Sequence, residues 1–359
     1  MQKFLNRIIC GDCIEVLGKV DEPFADLIFA DPPFNIGYKY DKYYDKVKKK
    51  NYIAWTKEWM SVSKKVLKPH GSFYIAIGDD YAANVKVLAD ELGLVMRNWI
   101  IWHYTFGQQT KTKFARAHTH IFYFVNDQTN FTFNDYAVRV PSDRQLIYND
   151  RRANPAGKMP DDVWGGYPRV CGTFKERAGW HPCQMPESLL KRIIAASSNP
   201  GYCVLDPFSG SGTTAAAAYQ LGRNYIGVEI SEQYVENSSK RLAELKKQLS
   251  GDLFLKNYNK TTVSHTCHSE RSEESLFGGL TETLRSAQGD TGEVLLERLN
   301  VAELDEVKRL SIDIRRTPKE IVTDKNLLEL FTNQLAVRMN NQKQYSEKVV
   351  ATALEGLTG

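Results

Sequence analysis

The chain has no long apolar run: nowhere in its 359 residues do roughly 18 predominantly apolar, uncharged positions follow one another, the length needed to span a bilayer. Its opening, MQKFLNRIICGDC, lacks the charged-then-apolar layout of a secretory leader, so a cytoplasmic protein with no membrane attachment is expected. Cysteine is scarce. Six residues in so long a chain do not make a disulfide framework, and free thiols fit a reducing compartment. Neither sign of charge dominates: 47 Lys and Arg face 43 Asp and Glu, and the resulting +4 is too mild to diagnose a nucleic-acid partner. What is present is ordinary globular material, 42% hydrophobic, 25% charged and 11% aromatic, enough for one large core plus an accessory piece.

Apolar runs alternate with helical stretches through the first third of the chain. ADLIFA ends at Asp31-Pro32-Pro33-Phe34, a helix is predicted over 51–66, a turn at Lys68 to Gly71, a strand over 72–77, a helix over 81–92, and strands over 96–102 and 120–125. Residues 36–50, GYKYDKYYDKVKKK from Gly37 on, interleave tyrosine with lysine and read as a mobile basic loop. The alternation fails over 126–180 and resumes as a helix over 186–197, a strand over 202–205, a glycine loop into a helix over 210–219, a strand over 224–229 and a helix over 232–249. This rhythm predicts an α/β fold, a doubly wound, mostly parallel sheet. The organisation expected is a first half-domain at 1–125, a recognition region at 126–180, a second half-domain at 181–250, a low-complexity linker at 251–293 and a helical module at 294–359.

The sequence VLDPFSGSGTT, Val204 to Thr214, is a strand ending in an acid, then closely spaced glycines, then a helix. Gly210 and Gly212 permit a tight turn and close backbone approach, so main-chain N–H groups can face a polar ligand. Glu229 ends the next strand, where an acid can accept hydrogen bonds from both ribose hydroxyls; the pair implies an adenosine-containing cofactor. A nucleoside triphosphate is a poor match, because Thr213 stands where a phosphate-binding lysine belongs. A dinucleotide wants a third glycine where Ala215 stands, a change that fingerprint tolerates only sometimes. S-adenosyl-L-methionine needs the acid and the glycine turn but no room for a pyrophosphate.

The Asp31 to Phe34 turn offers a different chemistry. An exocyclic amino nitrogen on a base is a poor nucleophile because its lone pair is delocalised into the ring. Asp31 and the Pro32 carbonyl can each accept one amino hydrogen, which draws the nitrogen toward tetrahedral geometry. Pro32 and Pro33 stiffen the turn, and Phe34 offers a face on which a base swung out of its duplex can stack.

ADPPFNIG early, a variable basic region, then HPCQMPESLLKRII leading into VLDPFSGSGTT and YIGVE resembles the β-class amino DNA methyltransferases of prokaryotes, in which the catalytic turn precedes the cofactor loop. The likeness covers about residues 6–247. It implies that Asp31, Pro32, Pro33 and Phe34 form the catalytic tetrapeptide. Asp206, Pro207, Phe208, Gly210, Ser211, Gly212 and Thr213 become the cofactor loop, and Glu229 the ribose acceptor. Asp12 and Cys13 lie near the adenine, and His181 and Pro182 stand before the loop. The family's His-Pro-Thr-Gln-Lys-Pro is departed from at Cys183 and Met185, so no lysine contact to the cofactor exists there. An aspartate-first tetrapeptide resembles those acting on adenine N6; cytosine N4, or a DNA-binding relative without catalysis, is the alternative. The resemblance further implies double-stranded DNA as partner, a companion restriction endonuclease and pairing as a homodimer.

A flipped base requires a held duplex, hence cations against phosphates. The candidates are Lys39 and Lys42 in the tyrosine-lysine loop, Arg116 with Gln108, Gln109, Lys111 and Lys113, and Arg139, Arg144, Arg151, Arg152, Arg169 and Lys175 in the recognition region. No metal is expected: Cys10-x-x-Cys13 has no second pair, and His103, His118, His120 and His181 are read as core or turn residues.

Overall fold

The computed structural model describes residues 4–108, 110–172, 174, 176–249 and 299–357. Gln109, Lys175, the expected linker 251–293 and the start of the C-terminal module lie outside them. The chain divides into two compact units, one formed by residues 1–138 with 160–246, the other by residues 139–159 with 247–359.

In the first unit the elements follow the order β1 (Arg7–Cys10), α1 (Cys13–Gly18), β2 (Ala25–Ala30), α2 (Lys49–Val66), β3 (Leu67–Ile77), α3 (Asp79–Glu91), β4 (Val95–Gln108) and β5 (Arg116–Val125). The second unit's α4 (Asp143–Leu146) interrupts this unit in sequence. Then come β6 (Val163–Trp164), α5 (Glu187–Ser197), β7 (Cys203–Asp206), α6 (Thr213–Gln220), β8 (Asn224–Glu229) and α7 (Glu232–Leu249). The eight strands form one sheet in the order β1-β8-β7-β2-β3-β5-β4-β6. Every pairing is parallel except those made by β5, which runs against both β3 and β4. This is the doubly wound α/β sheet the rhythm predicts.

Helices cover both faces, so the central strands are apolar without alternation: all six residues of β2 are buried. Phe73, Phe122 and Phe124 pack with Trp59, Ile28, Leu205, Ile226 and Val228 in the core. One buried acid breaks the apolar run. Asp26 accepts from Lys68 Nζ at 2.9 Å, from the Cys203 amide at 2.8 Å and meets His70 Nε2 at 2.9 Å, clamping three neighbouring strands. The turn predicted at Lys68 to Gly71 is a bulge at the start of β3. Ala25 pairs with Leu67 and Leu27 with Ser72, so residues 68–71 swell out of the ladder, a form that accommodates Pro69 without a lost sheet bond.

The strand order reverses at β2. From it the chain crosses to β3 on one side, whereas β7 on its other side leads on to β8. The crevice beyond the strand ends at such a switch point is where α/β sheets hold ligands. Asp31 follows β2, Asp206 ends β7 and Glu229 ends β8, so all three acids stand on that edge.

The second unit contains α8 (Val301–Asp313), α9 (Pro318–Thr323), α10 (Lys325–Arg338) and α11 (Glu347–Glu355). Val307, Leu310, Ile321, Phe331, Leu335, Val350 and Leu354 form its own core. Residues 139–159 belong to it: Arg338 Nε donates to the Arg139 carbonyl at 2.8 Å, and Val140 bridges to Lys158. The stretch 126–180, expected as one recognition region, is therefore divided. Its ends stay with the sheet and its middle is claimed by helix α10. Among the described residues no helix is long and apolar enough to cross a membrane, and no group of three His, Cys, Asp or Glu could hold a metal ion.

Candidate active site

The turn after β2 is fixed from outside. Tyr52 of α2 donates its hydroxyl to the Pro33 carbonyl at 2.6 Å and packs against Tyr81 of α3, ring centres 4.3 Å apart. Asn35, in the left-handed region at φ 60°, donates from Nδ2 to the Tyr81 hydroxyl at 2.6 Å and to the Val47 carbonyl at 3.0 Å, and accepts from the Val47 amide at 2.6 Å. The acceptors of the tetrapeptide are thus aimed by a rigid frame. Burial pushes the Asp31 carboxyl up to about 7; Asp206 adds to the rise and Arg169 opposes it. Phe34 stands against Gly78, where a Cβ would come within 3.3 Å of the ring.

The glycine loop leaves β7 in a tight hook. Asp206 accepts from the Phe208 amide at 2.9 Å and from Thr214 Oγ1 at 2.6 Å, and burial pushes its carboxyl up to about 7 as well. Gly210 and Gly212 lie at φ 47° and 73°, and a Cβ on Gly210 would stand 2.7 Å from His181 Nε2. No side chain fits there, which is the close approach the sequence spacing predicts. Arg241 of α7 holds the loop's far side, donating to the Ser211 carbonyl and to Thr213 Oγ1, each at 3.0 Å. Glu229 accepts from the Gly210 amide at 2.8 Å through one oxygen and from the Ser231 amide at 2.9 Å through the other. Burial raises its pKa, opposed by those amides. Each oxygen keeps a second lone pair for hydroxyl donors. Asp12 caps α1, accepting from the Ile14 amide at 2.8 Å, while Cys13 is buried with its thiol pushed up to about 12, chiefly by burial.

These groups converge on one cavity of about 360 Å³, a volume in the range of small-ligand pockets. Asp12, Cys13, Asp31, Pro32, Pro33, Phe34, His181, Pro182, Asp206, Pro207, Phe208, Gly210, Ser211, Thr213 and Glu229 all line it. Gly212 stands just behind, where a Cβ would meet Ser238 Cβ at 2.9 Å. His181 packs on Tyr234, ring centres 4.9 Å apart, and burial drops it to about 4, so it is neutral. The donor set suits an adenosine-bearing ligand with a polar, zwitterionic end: free carboxylate lone pairs at Glu229, glycine backbone at 210, aromatic and apolar walls.

The tyrosine-lysine loop departs from expectation. It is tied down by Asp45, 1% exposed, which accepts from the amides of Asn35 at 2.6 Å, Ile36 at 3.2 Å and Tyr38 at 3.0 Å. Tyr43 packs on Trp55, and Trp55 on Phe208 of the glycine loop, at 5.6 and 5.7 Å. Ser231 donates to Asp41 at 2.6 Å, beside Glu229. Tyr38, Tyr40, Asp41, Lys42 and Tyr43 therefore wall the same cavity, whereas Lys39 is exposed. Burial, then the nearby Cys183 and Asp31, push the Tyr40 phenol far up. Sequence reasoning missed Asn35, Tyr40, Asp41, Asp45, Tyr52, Trp55 and Tyr234; the asparagine directly after the tetrapeptide was the one local signal.

The predicted DNA-facing cations fall in several places. Arg169 lines the cavity and lies over the Tyr104 ring at 5.3 Å; Arg116 also lines it, paired to Asp79 at 2.8 Å. Arg139, Arg144, Arg151 and Arg152 belong to the second unit. Arg139 donates to the Gly157 carbonyl at 3.2 Å, and Arg144 and Arg152 share Asp150, holding its carboxyl well below the usual range. Lys175 lies outside the described residues. Cys10 is exposed and Cys13 buried, so the two thiols do not share one environment.

Comparison with known proteins agrees with this geometry. Residues 25–240 match the family model described as DNA methylase, for N6 and N4 methyltransferases. The type II methyltransferase M.HpaI of Haemophilus parainfluenzae is 38% identical over 238 residues, 66% of this chain and 74% of that protein. The DNA adenine methyltransferase YhdJ of Escherichia coli is 39% identical over 269 residues, 69% of this chain and 90% of that one. Among solved structures, the cytosine-N4-specific PvuII DNA methyltransferase aligns at TM-score 0.50 and 21% identity, over 65% of this chain and 84% of its own, a likeness of fold. From its glycine hook to its double-proline turn, this chain belongs to the N6/N4 DNA methylase family.

Proposed function

We propose that the protein methylates the exocyclic amino group of a base flipped out of double-stranded DNA, adenine at N6, using S-adenosyl-L-methionine. The observation that carries this reading is the meeting of Asp31 to Phe34 with Gly210 and Glu229 in one cavity. When bound, the cofactor supplies a methyl group on a sulfonium, an electrophile that needs only an aimed lone pair. Glu229 would accept from the ribose hydroxyls, the Gly210 backbone would hold the methionine end, and Asp12 would border the adenine. Asp31 and the Pro32 carbonyl accept the two amino hydrogens, so the nitrogen's lone pair leaves the ring's π-system, and Asp31 takes on the proton released. Phe34 stacks on the base. The frame built by Tyr52, Asn35 and Tyr81 keeps the acceptors in place, and such positioning is worth about 7–11 kcal/mol when complete. Adenine is favoured by the aspartate-first tetrapeptide and by the relative named a DNA adenine methyltransferase.

Lys42, Arg116 and Arg169, at the cavity, are proposed as DNA contacts, and Lys39, Arg139, Arg144, Arg151, Arg152 and Lys175 are proposed to meet phosphates. The reading includes a cytoplasmic location, a companion restriction endonuclease and a homodimer. Restriction protection of host DNA and sedimentation test the last two. The central test is nucleoside mass spectrometry of duplex DNA after incubation with the full chain: N6-methyladenine is expected, and N4-methylcytosine overturns the choice of base. Asp31→Ala is expected to lower single-turnover transfer by about a hundredfold or more with cofactor binding kept. Glu229→Ala is expected to weaken cofactor binding by calorimetry; the reverse pattern refutes the roles.

A further inference from the structure

The hairpin of β4 and β5 outruns its neighbour. On the β3 side the ladder stops at Ile77 opposite His120, yet β5 continues back to Arg116, and β4 runs on to Gln108 opposite it. Because β5 opposes β3, this overhang leaves the sheet at the edge where β2, β7 and β8 end, the edge of the cavity. The stem of the overhang walls that cavity through Trp102, Tyr104, Arg116, His118 and Thr119. At its tip stands Phe114, 99% exposed, more so than any other large apolar side chain among the described residues. Exposed Lys111 and Lys113 lie beside it, Thr110 donates to the Lys113 carbonyl to fold the tip, and Arg116 closes the stem.

A single exposed apolar residue is ordinary on a protein surface. This one differs in place and company. A base that leaves its stack opens a gap the size of an aromatic ring, and proteins that distort duplexes fill such gaps with apolar wedges flanked by cations on phosphates. We propose that Phe114 is the wedge that enters the base stack as the target nucleotide swings into the cavity, with Lys111 and Lys113 on the phosphates beside the gap. The inference rests on the reading above and adds the element that performs the extrusion. It assigns Phe114 a positioning role, since the ring touches neither the reacting nitrogen nor the cofactor.

The test uses the full chain, the methylated site read by sequencing DNA from cells that express it, and two duplexes, one fully paired, one with an abasic site opposite the target base. With the pairing cost already removed in the second duplex, extrusion is easier and a lost wedge matters less. Phe114→Ala is expected to slow single-turnover transfer about tenfold or more on paired DNA and to regain most of the rate on the abasic duplex, with cofactor affinity unchanged. Phe114→Trp, which keeps a stacking face, is expected to hold the rate within about threefold on both. An unchanged Phe114→Ala rate on paired DNA overturns the inference, as does an equal loss on both duplexes. A loss that follows dissociation of a protein pair in sedimentation also overturns it and makes the ring a protein contact. Wild-type protein that methylates no duplex overturns the functional reading itself, whereas an active wild type with an indifferent Phe114→Ala overturns the wedge alone.

Discussion

A carboxyl group raised to about 7 sits on the boundary between two protonation states at neutral pH, and Asp31 and Asp206 both do so beneath one cavity. Only the ionised form of Asp31 can accept an amino hydrogen through both oxygens, so log kcat/KM is expected to rise with pH and level off above about 7. A pH-rate series at DNA concentrations well below KM checks this; a profile flat from pH 5.5 to 8.5 contradicts it. Stability runs the other way. The unfolded chain loses the Asp31 proton near 3.9, the folded chain near 7, so between those values the native state holds more protons and its stability falls as pH rises. Asp31→Asn removes that cost. Its melting temperature is expected to exceed that of the wild type at pH 8 and to match it near pH 4, by calorimetry. The turn after β2 was legible in the sequence because two prolines end an apolar run beside an acid and a cofactor-type glycine loop follows later in the chain; the raised acidity was not, because it comes from burial and from Asp206, far along the chain.

At the scale of elements, the loop after the tetrapeptide shows where composition misleads. Residues 37–50 carry six lysines among tyrosines, the composition of a solvated stretch of chain, yet Asp45 sits inside it as a buried hub for three amides. Nothing in the string YYDKV distinguishes a hub from a surface acid; only the folded backbone supplies the donors. Hydrogen bonds to a charged acceptor contribute about 1.5–3 kcal/mol each. Asp45→Ala is therefore expected to speed amide exchange over 35–47 by at least about a hundredfold and to weaken cofactor binding, read by hydrogen-exchange mass spectrometry and calorimetry, with the sheet's exchange unchanged. The strands, by contrast, were read in place: β7 and β8 lie within a residue of expectation, whereas β3 and β5 begin earlier and β4 runs on to Gln108, beyond their apolar runs. A parallel strand covered on both faces is largely apolar, and the hook needs glycine at positive φ, so both leave marks in the sequence. The predicted turn at residues 68–71 became a bulge for a related reason: Pro and Gly mark a departure from the ladder, not its end.

Each of the two units has a core among its described residues, and that of the second surrounds a buried charge. Arg338, 0% exposed, donates to Glu306 at 2.9 Å, to Asp313 at 2.5 Å and to the Arg139 carbonyl. Removing one partner of a buried ion pair costs about 3–5 kcal/mol. All six tryptophans, Trp55, Trp59, Trp99, Trp102, Trp164 and Trp180, lie in the first unit, so their fluorescence reports on it alone. Glu306→Ala is expected to move part of the helical circular-dichroism transition to lower denaturant and to leave the fluorescence midpoint in place. Compositional reading set 126–180 apart as one region, but it had no means of knowing that α10, nearly 200 positions later, captures its middle. The sheet has a simpler lesson. Strands 2 and 7 are joined by a parallel ladder, with Leu27 opposite Val204 and Ile28 opposite Leu205, not by a connecting loop. Which of them the ribosome makes first is thus immaterial to the chemistry. A gene transposed so that its second segment is translated ahead of its first is expected to rebuild the same pocket, read as cofactor binding by the permuted chain.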